Sequence, residues 1–335
     1  YRKADKRTLE VCGESCETVL GPAAGPHTQL ASNVLSSYLT GSRFIELKTV
    51  QILDALEIDK PCIDAGDEGY NTEWSTELAL DEAWVEYARA WILLHLIEKL
   101  FDFKVSNEER SFIFNMSVGY DLKGIKTDPM QQYLARMKDS SSEARFGKMI
   151  EIVRTKVPAM LAGTGLESKA VDLADFDVSP HICGSVPLST MHGCPPDEIA
   201  AICRYMLSEQ NLDTFVNLNR SLKEILSGLG YAYVSLNREG FEHDLQYPQA
   251  LEILTRLRAL AAQEGRLFGV KLTNTLASIN NRDELPGEEM YLSGRALFPL
   301  SITVAARLSE HFKGDLPISY SGGISIHNVD AVFKT

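Results

Sequence analysis

From residue 44 to residue 320, short runs of apolar and β-branched residues alternate with amphipathic helical patterns, and this alternation constrains the fold more than any other feature. The runs that read as strands are 44–50, 112–117, 186–191, 214–218, 231–236, 268–275 and 317–320, preceded by one near 19–24. Helical periodicity covers 78–101, 196–209, 248–264 and 300–312. Strand then helix, repeated many times, predicts a parallel sheet, because each parallel pair needs a crossover connection. Seven or eight such units without a Pro/Gly-rich linker predict an α/β fold of the (β/α)8 TIM-barrel type, a single domain over 1–335. Residues 139–179 carry no strand pattern and are expected to form a helical insertion.

Composition bounds the partners. A net charge of −13 over 335 residues argues against a nucleic-acid or anionic-membrane surface, since both require clustered Lys and Arg. The longest apolar stretches, such as 90–97, fall well short of the ~20 residues that span a bilayer. No signal peptide is visible, and six cysteines in this length suit reduced thiols and a cytoplasmic setting rather than a disulfide scaffold. The chain begins at Tyr1 without Met and stops at Thr335 within a helical pattern, which suggests part of a longer polypeptide.

In a parallel α/β fold, ligands bind at the carboxyl ends of strands. Ser321-Gly322-Gly323 follows the run at 317–320, and glycines there let backbone N–H groups approach a phosphate without a Cβ in the way. Glu46 and Lys48 lie within the run at 44–50, where charge is unusual unless it lines a pocket or forms a structural ion pair. Gly21-Pro22-Ala23-Ala24-Gly25-Pro26 is a small-residue turn that lets a flat ring lie against the backbone; an ordinary Gly/Pro turn has the same composition. The segment 67–75, read as a loop, supplies Asn71, whose amide offers a donor and an acceptor to a planar heterocycle. Its Thr72 or Ser75 would equally serve as a cap for the helix at 78–101. Asn115, Ser117 and Tyr120 follow the run at 112–117 in the same style.

Cys194 stands between Gly193 and Pro195-Pro196 at the start of a helix. The positive helix end lowers a thiol pKa and would suit a proton donor or acceptor; a buried inert Cys is the alternative. His181-x-Cys183 and His192-x-Cys194 offer zinc-compatible donors, but their spacing departs from the usual zinc patterns, and no metal is expected. Cys12 and Cys16 lack the second pair that an iron–sulfur cluster would need. After 215–219 the helical pattern of 220–226 starts at once, and a loop missing between Asn219 and Arg220 would explain so short a junction.

Thr273-Asn274-Thr275, then Leu292-Ser293-Gly294-Arg295-Ala296-Leu297 with Pro299-Leu300-Ser301, then Leu316-Pro317-Ile318 with Gly322-Gly323-Ile324, together resemble the barrels of dihydroorotate dehydrogenase and dihydropyrimidine dehydrogenase. A closer resemblance runs through Gly21-Pro22-Ala23-Ala24-Gly25-Pro26-His27-Thr28-Gln29-Leu30, 44–51, 114–120, 188–196 and 285–301. It is to the N-terminal region of the selenate reductase subunit family, which are multidomain iron–sulfur flavoproteins. The resemblance implies an oxidoreductase with FMN at the mouth of a dihydroorotate dehydrogenase-like barrel. Ser321, Gly322 and Gly323 would hold the FMN phosphate, Ala23 and Ala24 its ring, and Lys48 a ring heteroatom. Asn71, Asn115 and Asn274 would bind a planar cyclic amide of pyrimidine, hydantoin or purine type, and Cys194 would exchange a proton. Three departures stand out, one being that the run at 231–236 has no clear place in the simpler barrels. The fifth-strand lysine that usually steadies the flavin in the broader dihydroorotate dehydrogenase-type barrels is Asn217 here, with Lys271 as a substitute, and the eighth strand would lie beyond Thr335, leaving the last strand truncated. FAD and iron–sulfur clusters are implied only for other parts of the polypeptide, whose redox domains would be the partners. The alternative is a degenerate barrel that serves as a docking module for those domains.

Overall fold

The computed structural model describes residues 7–53, 55–64, 69–72, 78–103, 111–189, 194–218, 228–229, 247–273, 275–283 and 285–335. The expected strand at 231–236, the junction at 219–220, His192 and Asn274 lie outside the described residues. The chain divides into two compact units.

The first unit comprises Tyr1–Asp54, Leu78–Met116 and Lys126–Gly184. Its centre is a parallel pair of strands, Phe44–Glu46 and Ile113–Asn115, in the register Phe44 to Ile113, Ile45 to Phe114 and Glu46 to Asn115. The 22-residue helix Leu80–Phe101 buries Trp84, Tyr87 and Trp91 along one face, the spacing of an amphipathic helix. Trp91 meets Phe112 and Phe114 edge-on, with ring centroids 5.1 and 5.4 Å apart. Each such pair adds about 0.5–1.5 kcal/mol beyond its buried area. The helix ends at Asp102, in a left-handed conformation, whose N–H returns to the Glu98 carbonyl.

The strand expected near 19–24 is not a regular strand. The carbonyls of Leu20 and Pro22 do accept hydrogen bonds from Arg43, Phe44 and Glu46 N–H at 2.9, 3.2 and 3.2 Å. Pro22 has no N–H to return, and Gly21 lies so close that a Cβ would overlap the Phe44 carbonyl. The segment therefore runs beside the sheet without a two-sided ladder. A hairpin absent from the sequence reading, Leu9–Val11 with Glu14–Cys16, turns at Cys12 and Gly13, both at positive φ. Residues 139–179 hold the helix Ala144–Met160 and the 3-10 segment Glu167–Leu173.

The second unit comprises Ala55–Glu77, Ser117–Ile125 and Ser185–Thr335. Five parallel strands lie side by side in the order Ile318–Tyr320, Phe268–Leu272, Asp213–Asn217, Ser185–Ser189 and Val118–Gly119. Chain order and spatial order agree, each strand adding to the same edge. The helices Pro196–Arg204, Tyr247–Gln263 and Phe298–Phe312 lie between successive strands in the chain. The single helix expected at 196–209 instead widens into a π-type turn at Tyr205–Glu209, where Gln210 N–H reaches the Tyr205 carbonyl.

This unit also carries an antiparallel sheet in the order Leu276–Ile279, Glu289–Ser293, Gly69–Asn71, Ile63–Asp64. Part of the segment read as a loop is thus a strand. Its pairing joins residues far apart in sequence, Gly69 opposite Ser293, and a run of three residues shows no periodicity of its own.

Candidate functional site

In the first unit, polar groups gather at the carboxyl end of the Phe44–Glu46 strand. Phe114 faces the helix through Trp91, so strand alternation puts Asn115 on the opposite face, with Glu46 beside it in register. Glu46 and Asn115 are both buried, as is Lys48 two residues on. Glu46 Oε2 accepts the Ala24 N–H at 2.8 Å, which ties the small-residue turn to the strand. Lys48 is fixed through its backbone: its N–H donates to the Thr28 carbonyl at 3.4 Å, and its carbonyl accepts Tyr87 O–H at 2.9 Å. Thr28 closes the turn, its hydroxyl donating to the Gly25 carbonyl at 3.0 Å and accepting Gly25 N–H at 3.2 Å. The structure thereby brings Ala23, Ala24, Lys48 and Asn115 together with Glu46.

His27 joins this group, although the sequence reading did not single it out. Its pKa is lowered, first by loss of solvation in the crowded turn and then by the charge of Lys48, against a hydrogen bond with Ala23 and the charge of Glu46. The residue nonetheless remains exposed to solvent. Its place directly after the small-residue turn Gly21–Pro26 was the available signal.

In the second unit, Asn217, Lys271 and Ser319 stand at the same register on three adjacent parallel strands and share one face of the sheet. Lys271 is almost fully buried, 1% exposed, which is rare for lysine outside a pocket or a pairing. Beyond it the chain reaches Thr273, then Ser321 after the neighbouring strand. Ser321 N–H and Oγ both donate to the Leu272 carbonyl, at 3.2 and 2.6 Å. The side-chain oxygens Asn217 Oδ1, Thr273 Oγ1 and Ser301 Oγ are buried with no hydrogen-bond partner among the described residues. Leaving such groups unmet costs about 1–3 kcal/mol each.

Gly322 and Gly323 have φ of 94° and 79°, a region that favours glycine. The space a Cβ would take is filled by protein, however. At Gly322 it meets Ser301 Oγ, the Thr273 carbonyl and Leu297; at Gly323 it meets Phe298 Cβ at 2.8 Å and Arg295 Cα at 3.1 Å. The glycines thus let the turn press against the start of the Phe298–Phe312 helix. Only their backbone N–H groups are left to face an anion.

Asn71 lies half-buried in the antiparallel sheet, opposite Ile63 on one side and Tyr291 on the other. Cys194 is half-buried just before the Pro196–Arg204 helix. Asp197 and Glu198 occupy the first helical turn, so their charges oppose the thiolate-stabilising effect of the helix end. Cys203, in the same helix, is buried, and burial pushes its thiol pKa up. None of the six cysteines forms a disulfide. Among the described residues no group of three His, Cys, Asp or Glu could hold a metal ion, and no helix is long and apolar enough to cross a membrane.

A parallel sheet interleaved with helices, with buried lysines at carboxyl strand ends, is the arrangement of an α/β-barrel enzyme. The family model described as "Oxidoreductase YgfK, N-terminal TIM-barrel domain" matches residues 1–335, and the chain belongs to that family. It is 55% identical over 345 aligned positions to "Putative oxidoreductase YgfK" of Escherichia coli (strain K12), and equally to the protein of that name from Escherichia coli O157:H7. The alignment covers 100% of this chain and 33% of each relative, so the chain spans about a third of their length. Since the alignment is longer than the chain, those relatives carry residues with no counterpart here. Among solved structures, a ligand-free DHODH from Eimeria tenella superimposes with a TM-score of 0.52 at 15% identity, over 99% of this chain and 79% of that one. The TIM-barrel fold expected from the alternation of strands and helices is the fold of this family.

Proposed function

We propose that the chain is the FMN-binding barrel of a longer iron–sulfur flavoprotein resembling the selenate reductase subunits, oxidising or reducing a planar cyclic amide of pyrimidine, hydantoin or purine type. The observation that carries this reading is the row Asn217–Lys271–Ser319. Asn217 stands where the dihydroorotate dehydrogenase-type barrels carry a fifth-strand lysine, and Lys271 lies directly beside it on the next strand, about 4.8 Å away from backbone to backbone. The cation is relocated by one strand rather than lost.

The residues fit FMN on several counts. Thr273 and Ser301 bring unmet hydroxyls to the glycine turn, and the Gly322 and Gly323 amides can receive a phosphate. Ala23 and Ala24 offer a flat, small-residue surface held in place by Glu46, and Lys48 is a buried donor beside it. Bound FMN would supply the hydride chemistry, the protein contributing orientation and electrostatics. Lys48 and Lys271 would each stabilise negative charge developing on a ring bound beside it. Asn71, Asn115 and Asn274 would orient the substrate amide, and Cys194 Sγ would hold or give up the proton. FAD, iron–sulfur clusters and the electron-accepting partner would belong to the remaining two thirds of the polypeptide, in the cytoplasm.

One observation favours a second reading, a barrel kept as a docking module without flavin. The Cβ positions of Gly322 and Gly323 are filled by protein, so packing alone accounts for both glycines. Acid release of chromophore from the full-length protein, followed by mass detection, separates the two. FMN beside FAD is expected; FAD alone would sink the flavin-barrel reading.

A further inference from the structure

The strand Phe44–Glu46 ends before Lys48, and Leu47 N–H still reaches the Asn115 carbonyl at 2.9 Å. Lys48 lies just past that ladder, so its backbone groups depend on segments distant in the chain. Its N–H meets the Thr28 carbonyl at 3.4 Å, longer than an ordinary hydrogen bond, whereas its carbonyl accepts the Tyr87 O–H at 2.9 Å. The shorter bond does most of the holding. Tyr87 and Lys48 are 0% and 2% exposed, so water does not compete for the pairing.

The donor is itself well anchored. Tyr87 shares the buried face of the helix Leu80–Phe101 with Trp84 and Trp91, and a helix rather than a loop therefore places its hydroxyl. Burial, then the charge of Glu86, raises the phenol pKa, which keeps the group a proton donor. The preceding residue, Glu86, accepts the Ala31 N–H at 2.9 Å through Oε2. Consecutive residues of one helix thus hold the start of the Ala31–Leu39 helix, just past Thr28, and the backbone of Lys48.

We propose that Tyr87 is a positioning residue for flavin binding, acting through Lys48 by fixing the backbone from which the lysine side chain departs. This rests on the flavin-barrel reading, in which Lys48 serves a ring heteroatom. Without the hydroxyl, the buried Lys48 carbonyl loses its donor. The peptide then turns toward another donor and carries the side chain with it.

The test is a double-mutant cycle on FMN binding to the full-length protein. Bound FMN is counted by mass after equilibrium dialysis against graded FMN, which separates it from FAD. Affinity and number of sites are fitted separately, so a partly unfolded variant loses sites without changing the constant. Tyr87→Phe removes one hydroxyl and is expected to weaken binding roughly five- to tenfold. Lys48→Met is expected to weaken it roughly tenfold to a hundredfold, and adding Tyr87→Phe to it should change nothing further. Tyr133→Phe is the control, since Tyr133 is 1% exposed in the same unit and its hydroxyl has no hydrogen-bond partner among the described residues. It is expected to bind FMN as wild type does. The inference alone is overturned if Tyr87→Phe weakens binding equally in the Lys48→Met background, or no more than Tyr133→Phe does. It is likewise overturned if Lys48→Met has no effect, or if Tyr87→Phe unfolds outright, which would make the role structural. FMN not bound by wild type overturns it together with the reading on which it rests.

Discussion

Arg43 and Lys48 stand at opposite ends of one short strand, and the contrast between them shows how a barrel-type unit separates stability from chemistry. Arg43, at the amino end, is completely buried and held from several sides. Its Nε pairs with Glu17 Oε2 at 2.9 Å, its Nη1 donates to the Tyr38 and Ser42 carbonyls, and its guanidinium lies 3.9 Å over the Tyr38 ring. Tyr38 O–H continues the network to Glu98 Oε1 at 3.0 Å. Burial at this end serves to fix the Leu9–Cys16 hairpin, since Glu17 N–H also donates to the Ser111 carbonyl. Lys48, at the carboxyl end, is buried with its backbone pinned beside a turn of small residues in which Pro26 and His27 are exposed. Amino ends of barrel strands carry stability and carboxyl ends carry function.

The largest expected effect tests the amino end. Arg43→Met should cost about 3–5 kcal/mol in chemical denaturation, because Glu17 is then buried without its partner. Adding Glu17→Leu should recover much of that loss. A cost near zero for the single change would break the contrast.

An intermediate effect is expected at the glycine turn of the second unit. Gly322→Ala combines positive φ with contacts on Ser301, Thr273 and Leu297, and should cost about 1–3 kcal/mol while weakening FMN retention. Ser301→Ala removes the nearest atom and should restore part of the stability. Unchanged stability with lost FMN would show instead that the turn serves the ligand more than the packing.

The smallest effect sharpens what burial contributes. Asp81 pairs with Arg145 and Arg136, as Glu17 pairs with Arg43, but its side chain is 51% exposed. Arg145, then Arg136, holds its pKa down at about 2 against an ordinary 3.8. A depressed carboxylate pKa stabilises the fold above the unfolded value, and that contribution fades as pH falls from about 4 to about 2. Solvent screening limits it, so Asp81→Asn should cost less than about 1 kcal/mol at neutral pH and nothing near pH 2. A cost equal to that of Arg43→Met would remove burial as the distinguishing factor.

Much of the parallel framework was legible from local pattern. The runs at 214–218 and 317–320 became Asp213–Asn217 and Ile318–Tyr320, and the helix at 78–101 became Leu80–Phe101. Elements made by distant partners were not legible. Gly69–Asn71 is a strand because Glu289–Ser293 and Ile63–Asp64 lie on either side of it, and residues 19–24 fail as a strand because Pro22 has no N–H for the second half of the ladder. Site residues followed the same division. Lys48 was conspicuous as a charge within an apolar run, whereas the unmet hydroxyls of Thr273 and Ser301 have no signature in one dimension.

The sequence by itself determined the alternation of strand and helix, the placing of charge at Glu46, Lys48 and Lys271, and the glycine turns, because period and residue type act locally. Only the tertiary structure decided which residues became neighbours. Register set Lys271 beside Asn217, an absent Cβ at Gly25 seated His27, and packing against the Phe298–Phe312 helix filled the space at Gly322 and Gly323. Those outcomes depend on distances between segments far apart in the chain, which no local pattern encodes.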